Sequence, residues 1–128
     1  MLTKNQQLWV DALRSGDYKQ GQGALKINGT YCCLGVASDV LDLPGFKSRD
    51  YCPGMLWADT KAKLSIKEQA GVFCLADLVS PWKEKLEAVL EDNQDASSLV
   101  ILNDFLKWDF LTIAKFIEDN AGALFNAN

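Results

Sequence analysis

The sequence predicts an α+β fold, a mostly helical single domain over residues 1–128 with a small antiparallel β-hairpin near the amino terminus. Three observations predict it. Apolar residues recur at helical spacing behind cap signals, Asn28-Gly29 sits between two short strand-like runs, and no linker, repeat or low-complexity tract divides the chain.

The elements follow in order. Thr3 with Gln6 three positions on is a capping box, and Trp9, Ala12 and Leu13 give the helix behind it an apolar stripe that stops at Ser15-Gly16. "ALKI" and "TYCC" flank Asn28-Gly29, a pair that tolerates the positive φ angles of a type I′ hairpin turn. Gly21 and Gly23 before the first strand indicate a bulge or a close backbone approach. "CLGVASDVLDL" reads as a short helix ending near Pro44-Gly45, and Pro53-Gly54 as a turn before a short strand "MLWA". Ser65 with Glu68 reads as a second capping box, opening a helix through "IKEQAGVFCLADL" that is interrupted or kinked at Gly71. Pro81 starts the next helix, "WKEKLEAVLED". "SSLVILNDFL" and "DFLTIAKFIEDN" close the chain as two helices, broken at Lys107-Trp108. Asp109 caps the last, whose buried face is Phe110, Ile113, Ala114 and Ile117.

Composition excludes several functions. A chain with 48% hydrophobic and 23% charged residues folds rather than staying disordered. Its apolar runs fall short of the roughly 20 residues of a membrane span, and "MLTKNQQLW" does not resemble a secretory signal, so the expectation is a soluble intracellular protein with no membrane partner. Four cysteines then read as reduced thiols, with Cys32 and Cys33 packed in the core. With no histidine and no paired Cys-x-x-Cys spacing, neither a metal site nor any other cofactor is expected, and Cys-His or Ser-His-Asp catalysis is removed. Residues 1–50 hold six Lys or Arg against five Asp, net +1; the remainder holds seven against twelve acids, net −5. An acidic chain of pI ≈ 4.7 does not track long nucleic acid, but its first half can hold a small anion.

The segment 14–26 concentrates the useful chemistry. Arg14 and Lys26 can neutralise phosphate, Tyr18 can stack on a base, Gln20 can orient a base edge or hydroxyl, and Ser15, Lys19 and Gln22 add further polar groups. That inventory suits a nucleotide. The same glycine-rich loop is also simply a corner in the chain, and neither a Walker loop nor a complete dinucleotide fingerprint is present. Trp57, Trp82 and Trp108 read as packing anchors rather than base-stacking platforms, with Trp57, in a loop, the one most open to a ligand. Asn103 and Asp104 interrupt an apolar helix, so they either face a ligand or brace the 15–22 loop.

"WVDALRSGDYKQGQGAL", "YCCLGVASDV" and "LNDFLKWDFLTIAKFIEDN" resemble, in that order, a family of small proteins mostly encoded by bacteriophages; the variable middle from about Pro44 to Asp95 is not covered. The family looks like the anti-CBASS sponges, which bind the cyclic dinucleotide of a bacterial defence system and sequester it without cleaving it. The resemblance implies a non-enzymatic immune-evasion protein in the cytoplasm of the infected host. It also implies a homo-oligomer, such as a tetramer, with pockets built by more than one subunit. It singles out Ser15, Gly16, Tyr18, Gln20, Cys32, Cys33, Gly35, Asn103 and Asp104 without assigning ligand contacts. Met55, Leu56 and Trp57 are candidates for a subunit junction.

Two other classes stay open. One is a small enzyme acting on a nucleotide or modified base, with Asp104 or Asp39 as base and Lys26 or Arg14 stabilising anionic charge. The other is an inhibitor of a host protein acting through the acidic helical half.

Overall fold

The computed structural model describes residues 2–41, 55–90 and 96–126, with the backbone alone for 55–58, 69–70 and 96–97. Helix α1 (Lys4–Arg14) opens with the expected capping box: Thr3 Oγ1 accepts from Gln6 N–H and Gln6 Oε1 accepts from Thr3 N–H. Gln6 is itself buried and donates Nε2–H to Leu64 O (2.7 Å), which ties the box to a distant helix. Asn28 (φ 51) and Gly29 (φ 77) form the tight turn between β2 (Lys26–Ile27) and β3 (Thr30–Tyr31), which pair antiparallel as expected. The sequence did not reveal a third strand, β1 (Lys19–Gln20), which pairs parallel with β3 in the order β1-β3-β2.

The strand ends at Tyr31, two residues earlier than "TYCC" suggested. Cys32 is the N-cap of α2 (Cys33–Val40), its sulfur accepting from Gly35 N–H at 3.4 Å, and Cys33 is the first helical residue. Both thiols are buried, as expected.

Three local expectations are overturned. "MLWA" is not a strand but the start of α3 (Met55–Leu64), because the good helix formers of "KAKL" continue it and Thr60 and Leu64 are buried at i,i+4 spacing. Ser65 does not cap a helix. It sits at φ 57, Ile66 bridges to Phe125, and the one-turn helix α4 (Glu68–Gly71) begins after Lys67 without a side-chain cap. Gly71 (φ 72) interrupts the run, as one of the two expectations for it had it, but the following residues do not resume the helix and become β4 (Phe73–Cys74) and a 3₁₀ turn (Leu75–Asp77). The turn at Pro53-Gly54 and the region of Pro44-Gly45 lie outside the described residues.

Pro81 stands at the cap of α5 (Trp82–Val89) rather than inside it. β5 (Ala96–Ser97) pairs antiparallel with β4. The expected helix around "LNDF" is helical but wide: Leu106 N–H donates to Ile101 O, five residues back, so Ile101–Phe105 is one π-helical turn. Lys107 (φ 56) breaks the chain direction, and Asp109 caps α6 (Phe110–Asp119), accepting from Thr112 N–H at 2.8 Å. The stripe Phe110, Ile113, Ala114 and Ile117 is buried, as its spacing requires. A last turn, α7 (Ala121–Leu124), carries Phe125 onto Trp9.

The architecture is therefore α+β and mostly helical, with one core cluster between α1, α2, α6 and the short elements around them. Trp82, Trp108 and Phe116 stack within that cluster, so Trp82 and Trp108 are packing anchors. Among the described residues no helix is long and apolar enough to cross a membrane.

Three carboxylates on the α6 side titrate below their ordinary range. Thr112 N–H holds Asp109 down, Arg14 holds Glu118 down, and Trp82 Nε1–H holds Asp119 down with help from Lys115. A folded value below the unfolded one, about 4 for these groups, stabilises the protein above that pH and is lost as pH falls through the folded values. Melting temperature is expected to decline below about pH 4, and Asp109→Asn, which still caps, to flatten that decline at little cost near neutrality. A melting series from pH 7 to pH 2 on both proteins reads it directly; identical slopes would remove Asp109 from the account.

Candidate functional site

Four hydrogen bonds converge on Asn103. It lies on the inner side of the π-helical turn and is fully buried. Its Oδ1 accepts from Gln20 Nε2–H (2.8 Å) and from Cys33 N–H (3.2 Å). Its Nδ2 donates to Gly21 O (2.9 Å) and to Asp104 Oδ1 (2.7 Å). A primary amide has little further capacity, so Asn103 is a brace for the loop and for the first turn of α2. Of the two roles the sequence left open for it, the brace is the one its bonds fulfil.

The loop it holds is stitched from both sides. Gln20 Nε2–H also donates to Trp108 O (2.7 Å), Gly21 N–H donates to Tyr31 O (2.8 Å), and Cys32 N–H donates to Leu25 O (3.2 Å). Gln22 reaches Asn103 O at 3.5 Å. Gly35 passes directly beneath Leu25, where a Cβ would stand 1.7 Å from the Leu25 carbonyl oxygen. A Cβ on Gly21 would meet Thr30 Oγ1 at 2.2 Å, so the close approach suspected from its position is real.

Next to this clamp is a second group. Tyr18 O–H donates to Asp39 Oδ2 (2.6 Å), the Tyr18 and Tyr31 rings meet edge to face at 5.0 Å, and Lys26 Nζ lies 5.8 Å from the centre of the Tyr31 ring. Burial first, then donation to Asp39, pushes the Tyr18 phenol well above its ordinary value, so it remains protonated. Strand register explains the grouping: Gln20, Tyr31 and Lys26 are direct cross-strand neighbours, while Lys19 and Thr30 pair on the other face with Ile27. Tyr31 was missed as a site residue, although the alternation of a half-buried hairpin strand would have placed it there.

The remaining candidates lie elsewhere or are committed. Arg14 forms a two-pronged ion pair with Glu118, which raises the guanidinium and draws it toward α6 instead of toward Lys26. Ser15 caps α1, donating to Ala12 O (2.7 Å) and accepting from Asp17 N–H (3.1 Å). Asp104 is half-buried and accepts from Asn103. Trp57 is on the first turn of α3, and its side chain, like those of Met55 and Leu56, lies outside the described residues. The adjacent thiols are held protonated by burial, Cys32 at about 11 and Cys33 well above the ordinary value, with the Asp104 charge pushing the same way. Lys19 is exposed and its ammonium has no partner among the described residues.

Residues 1–121, which hold the whole hairpin, the clamp and α6, match the family described as "Domain of unknown function (DUF8296)". The chain belongs to this family. No curated protein and no solved structure matches it. In this DUF8296 member the clamp joins the amino-terminal loop to the region just before α6, two segments that both lie within the family match.

Proposed function

We propose that the chain binds and sequesters a cyclic nucleotide without cleaving it, using the face built by β1, β3, β2 and the loop 21–25. The observation that carries this is the clamp. A buried asparagine that spends all four of its hydrogen bonds on one loop, its flanking helix turn and a neighbouring carboxylate fixes the segment richest in polar donors. A loop ordered in advance loses less entropy when a ligand docks.

On the Tyr31 side of that sheet Lys26 supplies a cation for phosphate, Gln22 an amide for a base or ribose hydroxyl, and the Tyr18–Tyr31 pair an aromatic surface, while Lys19 lies on the opposite side. Arg14 joins them only by leaving Glu118, so it ranks behind Lys26 as a phosphate contact. Binding is favoured over turnover because each nearby base or nucleophile is already occupied. Asp39 accepts from Tyr18, Asp104 accepts from Asn103, and the thiols are held protonated. The resemblance to anti-CBASS sponges extends the proposal to an oligomeric, phage-encoded protein acting in the cytoplasm of the infected bacterium.

Incubation with a panel of cyclic di- and trinucleotides, removal of excess, and heat release of whatever stayed bound tests this reading. Intact nucleotide is the expected product. Altered nucleotide would make the protein an enzyme, and no bound nucleotide would favour an inhibitor of a host protein. With the best ligand, Lys26→Ala is expected to lose about ten- to hundredfold in affinity, the worth of one charge-assisted contact. Tyr18→Ala is expected to lower both affinity and stability, since its hydroxyl and ring are also structural. Parent-like binding by both variants would move the ligand off this face.

A further inference from the structure

A cavity of about 280 Å³ is lined by Lys67, Glu68, Val72, Phe73, Cys74 and Asn126, none of which belongs to the hairpin face. Its frame is the carboxy-terminal segment held against the Ile66 region: Lys67 N–H donates to Leu124 O (2.9 Å) and Asn126 N–H to Ser65 O (2.7 Å). Phe73 is buried against Phe116, ring centres 5.1 Å apart, and supplies a fixed apolar floor beside Val72. Among the described residues β4 has a strand partner on one side only, and neither Phe73 nor Cys74 makes a further backbone hydrogen bond, so among them its other edge offers backbone groups to an incoming polar group. Lys67 and Glu68 have no side-chain partners among the described residues, and Asn126, which donates Nδ2–H to Ile66 O (3.2 Å), keeps its side-chain oxygen unused.

We propose that this cavity binds a small zwitterion of the α-amino-acid type with an apolar side chain. Lys67 takes the carboxylate, Glu68 and the Asn126 oxygen take the ammonium, and Val72 and Phe73 receive the side chain. A simple anion drawn to Lys67 would meet the Glu68 carboxylate, and a simple cation would meet Lys67; a molecule carrying both charges satisfies both. The volume is just below the roughly 300–1,000 Å³ of small-molecule sites, which suits one amino acid and not a dinucleotide.

The test is titration of isotope-labelled protein with L-leucine, followed at the backbone amides of Phe73, Cys74 and Asn126. Saturable shifts are expected. N-acetyl-leucine, without the ammonium, and leucinamide, without the carboxylate, also stand for the two ends of a peptide; each is expected to bind about tenfold more weakly or worse. Lys67→Ala is expected to weaken leucine about tenfold with the spectrum otherwise unchanged, whereas Lys19→Ala leaves leucine binding as it was. No saturable shift at millimolar leucine, or equal binding of the blocked derivatives, overturns the proposal. Either result leaves the nucleotide reading untouched, since that is read with a different ligand on a different face.

Discussion

Asn103→Ala is expected to lower stability by about 3–5 kcal/mol, a fall of roughly 10–20 °C in melting temperature. Truncation strands Cys33 N–H and Gly21 O without their partner, and each unsatisfied buried group costs about 1–3 kcal/mol. It also frees the Gln20 amide, although that still reaches Trp108 O. Gln20→Ala is the comparison, because Gln20 is only part-buried and its loss removes two bonds without emptying the centre of the clamp; about 1–2 kcal/mol is expected. Calorimetric melting of the two variants separates a clamp from a surface contact. Equal, small losses would mean that the loop holds itself. A chain of this size has only about 5–15 kcal/mol of stability in total, so the Asn103 effect should be visible without denaturant.

Gly35→Ala is the second large effect, and its sign is the informative part. Gly35 lies inside α2, where helix propensity alone predicts that Ala stabilises by about 1 kcal/mol. The structure predicts the opposite. The new Cβ would stand 1.7 Å from Leu25 O and 2.7 Å from Leu25 C, backbone atoms that cannot rotate away, so the loop must lift and the Cys32 N–H to Leu25 O bond is lost. The expected cost is about 3 kcal/mol, at the upper end for overpacking. Gly122→Ala in α7 is the control: nothing lies within 4 Å of its Cβ position, and a neutral or slightly stabilising result is expected. Urea unfolding of the two proteins, monitored by helical circular dichroism, gives both values. A stabilised Gly35→Ala would show that the loop does not rest on α2. Under the nucleotide proposal, the same substitution should also abolish ligand capture, because the displaced loop is the docking surface.

What the sequence determined by itself is what short-range chemistry controls. The Thr3–Gln6 box, the Asn28-Gly29 turn, the Asp109 cap and the buried stripe of α6 are each settled by residues three or four apart, or adjacent, and all are present. The same short-range rules failed where a distant partner outweighed them. Ser65 and Glu68 have the spacing of a capping box, but Ile66 is held by Phe125 and Asn126 by Ser65, so the backbone at Ser65 is turned away from a cap. Phe73 and Cys74 lie in a run that reads as helix, yet they pair with Ala96–Ser97 once Gly71 has ended the turn before them. The candidate site divides along the same line. Tyr18, Gln20, Asn103 and Asp104 could be singled out because their polarity exceeds local need, but whether Asn103 braces the loop depended on contacts 70, 82 and 83 residues away. Those contacts exist only after the core has brought α1, α2 and α6 together. Only the tertiary structure therefore decided that Arg14 is paired with Glu118, that Ser15 is a cap, and that Tyr31 shares a hairpin face with Lys26 while Lys19 lies on the opposite one.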